Sequence, residues 1–465
     1  MVNPELIAPA LVGIPTAVAT AVGASSTVRY LCADRNRKAA MRCGIRVRAT
    51  WKRTALQVGL FQVDKAAKVG ESVPLPGELR GSAREPRILI PHLRVSSDAY
   101  GLVISVKVIG RIGLDAWQKA AEHLAHAWRV RQVTVEEARP GWLKVRAMLR
   151  DPLTESLGFA LPDADAVDLS SWQIGRDSYG QEVSVRSSGV SGVVIAGLAG
   201  YGKTVLLNAR ISQLAVSAAV QFVFIDGKGG PDYDDLFCRA WLSCKDNPEQ
   251  VRDILTMNHR LMTERQGAIR AVLGVKNMWH VGPSATWPLV VLIIDEAHTF
   301  FRELRGNSPT IKDRNAINAE IAWLVEELVR KGRNVGIVVV LATQKSTGDA
   351  IPTFIRDNCQ VALSFAQRTS EAAVATLGSD IADYPHAHPR RLVDPAYVGV
   401  ATMQVEGRPG FTLVRTPYAS DELTAKTAAD TAHLVADPLG LLHAQLDGLT
   451  VAIPDDLSGL DDLAA

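Results

Sequence analysis

Between residues 193 and 365 the chain alternates short, predominantly apolar runs with longer stretches in which apolar residues recur every three or four positions. The runs 193–196, 221–225, 289–294, 336–341 and 360–365 lack the polar alternation of a half-solvated sheet, so they predict strands buried on both faces. The intervening 205–216, 251–262 and 317–330 have helical spacing, the last through Ile317, Ile321, Leu324 and Leu328. Alternation of this kind predicts a mainly parallel sheet with helices on both faces. Upstream, the β-branched 101–109 is followed by 114–129, where Leu114, Trp117, Ala121, Leu124 and Trp128 share a helix face. Strand-like 130–135 and 142–149 then flank Pro140-Gly141. A small, separate α/β unit is the expectation, with Trp117 and Trp128 in its core. Residues 54–91 are punctuated by Gly and Pro without a period and read as loops and short strands, and 152–189 is a transition with turn signals around short strand-like pieces such as 182–185.

Length and composition fit this organisation. A chain of 465 residues that is 47% apolar and 22% charged can bury two or three cores, which excludes a disordered chain. The divisions expected are an N-terminal segment 1–54, a small α/β domain 55–150, the main α/β domain 151–418 and an acidic C-terminal tail 419–465. None of the close paired spacings of a zinc site or disulfide framework occurs among Cys32, Cys43, Cys238, Cys244 and Cys359, so they read as reduced thiols.

Charge is unevenly spread. Nine Lys or Arg stand between residues 29 and 53 against the single Asp34, whereas no Lys or Arg follows Lys426. A basic block suits nucleic acid or anionic lipid, or is simply a solvated face. Just before it, residues 6–27 carry no charge and approach the length of a membrane-spanning helix. Pro9, Pro15 and many small residues weaken that reading, leaving a membrane anchor and a peripheral or buried helix as alternatives. As an anchor it would hold the basic flank and the remaining chain on the cytoplasmic face of the membrane.

The sharpest chemistry lies in Gly197-Leu198-Ala199-Gly200-Tyr201-Gly202-Lys203-Thr204, which matches G-x-x-x-x-G-K-[ST] between a predicted strand and a predicted helix. The glycines let successive backbone N–H groups face phosphate oxygens, Lys203 reaches the β/γ-phosphates of ATP, and Thr204 supplies a hydroxyl to Mg²⁺. The run 289–294 ends in Asp295-Glu296, a costly place for two carboxylates without a purpose. Asp295 is the candidate for the Mg²⁺ shell and Glu296 for orienting or deprotonating a water. The plain alternative is acids capping the next helix. Gln344, after another apolar run, is a candidate sensor of the γ-phosphate or of the attacking water. Arg333 is the candidate cation that stabilises the leaving phosphates from a neighbouring subunit, against a surface or DNA-facing charge. Asp226 and Lys228 read as a turn with a salt bridge rather than as catalytic.

Taken in order, these motifs resemble the FtsK/SpoIIIE family of DNA-pumping ATPases. The resemblance is carried by Gln173-Ile174-Gly175-Arg176-Asp177 with Gly180-Gln181, by Ile225-Asp226-Gly227-Lys228-Gly229, by Gly332-Arg333-Asn334-Val335-Gly336-Ile337 leading to Leu341-Ala342-Thr343-Gln344, and by Arg356-Asp357-Asn358. It spans roughly residues 101–418, with the small unit resembling the domain that precedes the motor. It implies a RecA-like P-loop ATPase core, ATP and Mg²⁺ as cofactors, and a ring, usually hexameric, that drives double-stranded DNA through its pore, often anchored to the membrane. The chain departs from that family's cell-division members, since it has at most one credible span and no long linker, and an acidic tail stands where a basic DNA-reading module is expected. The shorter form looks more like the transfer proteins of actinobacterial conjugative plasmids and integrative elements, with plasmid or chromosome segregation as the other setting. A type VII secretion-like ATPase acting on proteins is the alternative; a single glycine loop and a single acidic strand favour DNA. The intact Lys203, Thr204, Asp295 and Glu296 speak against a non-hydrolysing scaffold.

Overall fold

The computed structural model describes residues 30–64, 87–344 and 350–451. The apolar stretch 6–27 lies outside them. Among the described residues no helix is long and apolar enough to cross a membrane. The chain divides into two compact units, with the boundary between Asp151 and Pro152.

In the first unit a four-stranded antiparallel sheet runs in the order Leu93–Ser97, Gly101–Lys107, Trp142–Met148, Gln132–Arg139. Helix Leu114–Trp128 buries Trp117, Leu124 and Trp128 as its spacing predicts. The basic block proves to be a helix as well. Arg35–Gln57 is capped by Asp34, which accepts from the Arg37 N–H, and turns Cys43, Val47, Trp51 and Ala55 into the core of the small unit. Trp51 stacks on Trp117 with ring centroids 5.5 Å apart. The segment 35–57 thus packs with the small α/β unit, and Arg35, Arg37, Arg42, Arg48, Lys52 and Arg53 are its solvent face.

The second unit is built on a ten-stranded sheet. Its order is Ala240–Cys244, Val220–Asp226, Leu289–Asp295, Ile337–Thr343, Gly192–Ala196, Val361–Ser364, Val400–Gln404, Phe411–Arg415, Ser171–Asp177 and Glu182–Arg186. The first six are parallel, and their central members are buried along their length, as continuous apolar runs require. The rest pair antiparallel. The fold is therefore the expected α/β P-loop type, its six parallel strands extended by four antiparallel ones into a mixed sheet. The added strands are short hairpin partners with polar residues among the apolar ones, and so give no continuous apolar signal.

From Gly192–Ala196 the chain moves toward one edge through helix Lys203–Ala215, then returns through Pro248–Leu273 and Pro309–Lys331. Right-handed crossovers in opposite directions put the first helix on one face and the other two on the opposite face. Both return helices start on a cap followed by proline: Asn247 accepts from Gln250 N–H and Ser308 from Ile311 N–H. The segment expected to be an acidic tail is folded as far as Val451. Helix Asp421–Asp430 buries Thr424, Thr427 and Ala428, and helix Pro438–Val451 buries Leu442 against the main core.

Candidate nucleotide site

Register places the motif residues level with one another at the carboxyl ends of adjacent parallel strands. Asp226 pairs with Asp295, Ile294 with Leu341 and Ala196 with Thr343. The strand that ends in Thr343 and leads to Gln344 lies between the strand leading to the glycine loop and the strand ending in Asp295. One cavity of about 540 Å³ is lined by Ala199, Gly200, Gly202, Lys203, Thr204, Asp295 and Gln344. Two of the loop glycines are dictated by their surroundings. Gly197 has φ +148° and a Cβ there would meet Phe365 Cβ at 2.6 Å; Gly202, at φ +107°, would meet Gly399 Cα at 2.9 Å.

Lys203 is buried and its ammonium donates to the carbonyls of Gly197 at 2.6 Å and Leu198 at 3.0 Å. Burial brings its pKa down to about 8 against the opposing pull of Asp295 and Glu296. Burial pushes the Asp295 carboxyl up, only partly offset by the N–H of Glu296, which donates to Asp295 Oδ1 at 2.9 Å. A cation beside Asp295 would relieve that cost. Thr204 and Asp295 present one hydroxyl and one carboxylate to the same cavity, and no group of three or more His, Cys, Asp or Glu among the described residues could hold a metal alone. That donor set fits Mg²⁺ delivered with nucleotide phosphates and keeping its waters, not a protein-only metal cage.

Glu296 has φ +49°, one of two non-glycine residues at positive φ among the described residues. Its carboxylate accepts from the backbone N–H of Gln344 at 3.2 Å and lies 3.1 Å from His298 Nδ1. The Glu296 side chain is thus directed across the strand ends, not into a helix cap. Asp226 and Lys228 form the expected turn: Asp226 Oδ1 accepts from Lys228 N–H at 2.9 Å, and Lys228 pairs with Asp232 at 2.6 Å. Lys228 and Asp232 also border the cavity.

Arg333 does not join this group. It precedes the strand Ile337–Thr343, whereas Gln344 follows it, and seven residues of strand span roughly 23 Å. Arg333 is exposed and, with Ser191, Gln266, Arg330, Lys331, Asn334 and Gln360, lines a separate cavity of about 390 Å³ at the amino ends of the strands. Arg330 and Lys331 share the buried Glu327.

Sequence reading missed the far wall of the nucleotide cavity, formed by Ser156, Leu157, Val398, Gly399, Arg415, Thr416 and Tyr418. These come from segments remote in sequence that carry no motif. Arg415 is buried and fixes the wall by donating to the carbonyls of Leu153 at 2.5 Å, Ala396 at 3.0 Å and Val398. His298 was also missed; its only signal was a polar residue in the turn after the acidic pair.

Comparison with known proteins fits both units. Residues 33–149 match the actinomycete conjugal transfer protein N-terminal domain. A DNA translocase FtsK of Leptospira interrogans is 26% identical over 231 residues, 43% of this chain and 21% of the relative. A DNA translocase FtsK 2 of Ralstonia nicotianae is 25% identical over 292 residues, 53% of this chain and 34% of the relative. This chain therefore spans between a fifth and about a third of the length of these relatives. Among solved structures, the pCW3 conjugation coupling protein TcpA, in a monomer form with ATPγS, is 14% identical with a TM-score of 0.49, covering 73% of this chain and 93% of its own.

Proposed function

From the premise of a motor similar to FtsK behind a conjugal-transfer N-terminal domain, we propose that this protein is an ATP-driven double-stranded DNA translocase acting in conjugative transfer. The observation that supports the hydrolytic part is the meeting of the glycine loop, Asp295 and Gln344 at neighbouring strand ends around one cavity, with the Glu296 carboxylate accepting from the Gln344 N–H beside it. In this reading the loop N–H groups and the start of helix Lys203–Ala215 receive the phosphates of ATP. Lys203 exchanges the carbonyls of Gly197 and Leu198 for the β/γ oxygens. Thr204 and Asp295 would hold the Mg²⁺ that arrives with the nucleotide, and the ion would supply neutralisation of phosphate charge. Glu296 orients the attacking water and takes its proton, and the Gln344 amide faces the γ-phosphate from the intervening strand.

The length of a strand separates Arg333 from its own site, so in this reading it serves a second subunit's site, with a surface or DNA-facing charge as the alternative. This favours a ring, and a hexamer is the form the resemblance implies. Attachment of residues 6–27 to the inner face of the cell membrane belongs to the same reading. The conjugative setting, rather than segregation, rests on the match of residues 33–149.

Steady-state ATP hydrolysis with and without long duplex DNA tests the proposal. Duplex should stimulate the rate, and Glu296→Gln should lower it by roughly 10²-fold or more. Equal rates with and without duplex would sink the DNA motor while leaving an ATPase.

A further inference from the structure

The turn that carries Glu296 is tied on both sides. The Gly227 N–H donates to Asp295 O at 2.9 Å, the Ala297 N–H to Ala342 O at 3.0 Å, and the Thr299 hydroxyl to Gly227 O at 3.2 Å. Its backbone is pinned to both neighbouring strand ends, with Glu296 in a left-handed conformation. A carboxylate on three flexible side-chain torsions would still swing. Here it does not swing freely: the Gln344 N–H points at both oxygens, at 3.2 and 3.4 Å, and His298 Nδ1 lies 3.1 Å from Oε1.

An ionised carboxylate only accepts, so the contact requires a proton on His298 Nδ1. The Thr343 hydroxyl, 3.4 Å from the same nitrogen, is the longer of the two contacts and cannot replace that proton requirement. The side chains of His298 and Glu296 are 22% and 13% exposed, so neither contact is diluted by bulk water as a surface pair would be.

We infer that His298 and the backbone amide of Gln344 brace the Glu296 carboxylate, which makes His298 a positioning residue for water activation. The inference rests on the hydrolytic reading of Glu296. Its consequence is that Glu296 is aimed by two segments at once: its own turn and the residue that leaves the strand Ile337–Thr343. A displacement of Gln344 re-aims the general base even if the Gln344 side chain touches nothing.

The experiment combines kinetics with a spectroscopic signature on the full chain. In His298→Ala, kcat should fall by about tenfold, a fraction of what a general base contributes, while KM and the affinity for a non-hydrolysable ATP analogue stay within about twofold, since no phosphate contact is lost. His298→Asn places an amide N–H near the position of imidazole Nδ1 and should recover most of kcat. Wild-type kcat in His298→Ala, or an Asn variant no better than Ala, overturns the brace. With ¹⁵N-labelled histidine, and the His298 signal assigned by its loss in His298→Asn, the ring should be protonated at Nδ1 without nucleotide. An Nε2–H tautomer overturns the brace even in an active enzyme. Protein with Nδ1–H at His298 but no ATPase activity under any condition keeps the brace and removes the hydrolytic reading.

Discussion

The two ends of the parallel strands are chemically unlike. At the carboxyl ends Lys203, Asp226 and Asp295 are buried or nearly so, and each is held by backbone groups: Lys203 by two carbonyls, Asp226 by the Lys228 N–H, Asp295 by the Glu296 N–H. At the amino ends Arg330, Lys331 and Arg333 are exposed, and the first two share Glu327. Charges at the first end are desolvated and fixed, so each is worth much to a ligand that completes them. Charges at the second end keep their water and are available to a partner that arrives from outside. One sheet thus separates the candidate phosphate site from a basic rim at its opposite end.

Three experiments test that contrast, the largest effect first. Lys203→Ala should abolish nucleotide binding and bring ATP hydrolysis below detection, because the buried cation of the inner site is lost; a variant that still binds ATP with native affinity would contradict the site. Arg333→Ala should retain ATP binding yet lose about 10³-fold in kcat, the scale of an arginine supplied across an interface. Mixing Arg333→Ala subunits with Lys203→Ala subunits should restore activity, since each supplies what the other lacks. No gain on mixing would assign the outer rim to another partner.

The third concerns pH. Lys203 titrates near pH 8 in the free protein because burial disfavours its charge, while phosphate contact favours the charged form. Below that pH the ammonium is already present; as the pH rises through 8, binding must first restore the proton. The dissociation constant for ATP should therefore rise about tenfold between pH 7 and 9, measured with a fluorescent nucleotide. A flat profile would show that the lysine stays charged throughout.

How far the sequence could be read depended on how local the cause of each feature was. The parallel half was legible because a strand buried on both faces must be continuously apolar, as in Leu289–Asp295, and because the glycine loop and acid pair are contiguous motifs. The antiparallel half was not, since Val400–Gln404 and Phe411–Arg415 mix polar residues among the apolar ones and Phe411–Arg415 pairs with Ser171–Asp177, far along the chain. Charge was a poor guide at both termini. The basic block reads as part of a segment apart from the small domain although every third or fourth residue from Cys43 to Ala55 is core, and 419–465 reads as a tail although Ala428 and Leu442 are buried. Arg333 stands eleven positions from Gln344, which suggests nearness; an extended strand between them turns that interval into separation.

The meeting of Gly202 with Gly399 sets a limit on how this chain can vary. Surface connections in most proteins accept insertions and deletions, because little depends on where their ends fall. The passage between Leu392 and Val400 is not such a connection: Tyr201 bonds through its hydroxyl to Val393 O and through its carbonyl to Gly399 N–H, at 2.9 and 3.1 Å. A residue added or removed there would displace the phosphate loop itself. Length variation among descendants of this chain should accordingly avoid a stretch that carries no motif, and a chimera that exchanges the antiparallel strands must carry this passage with the glycine loop.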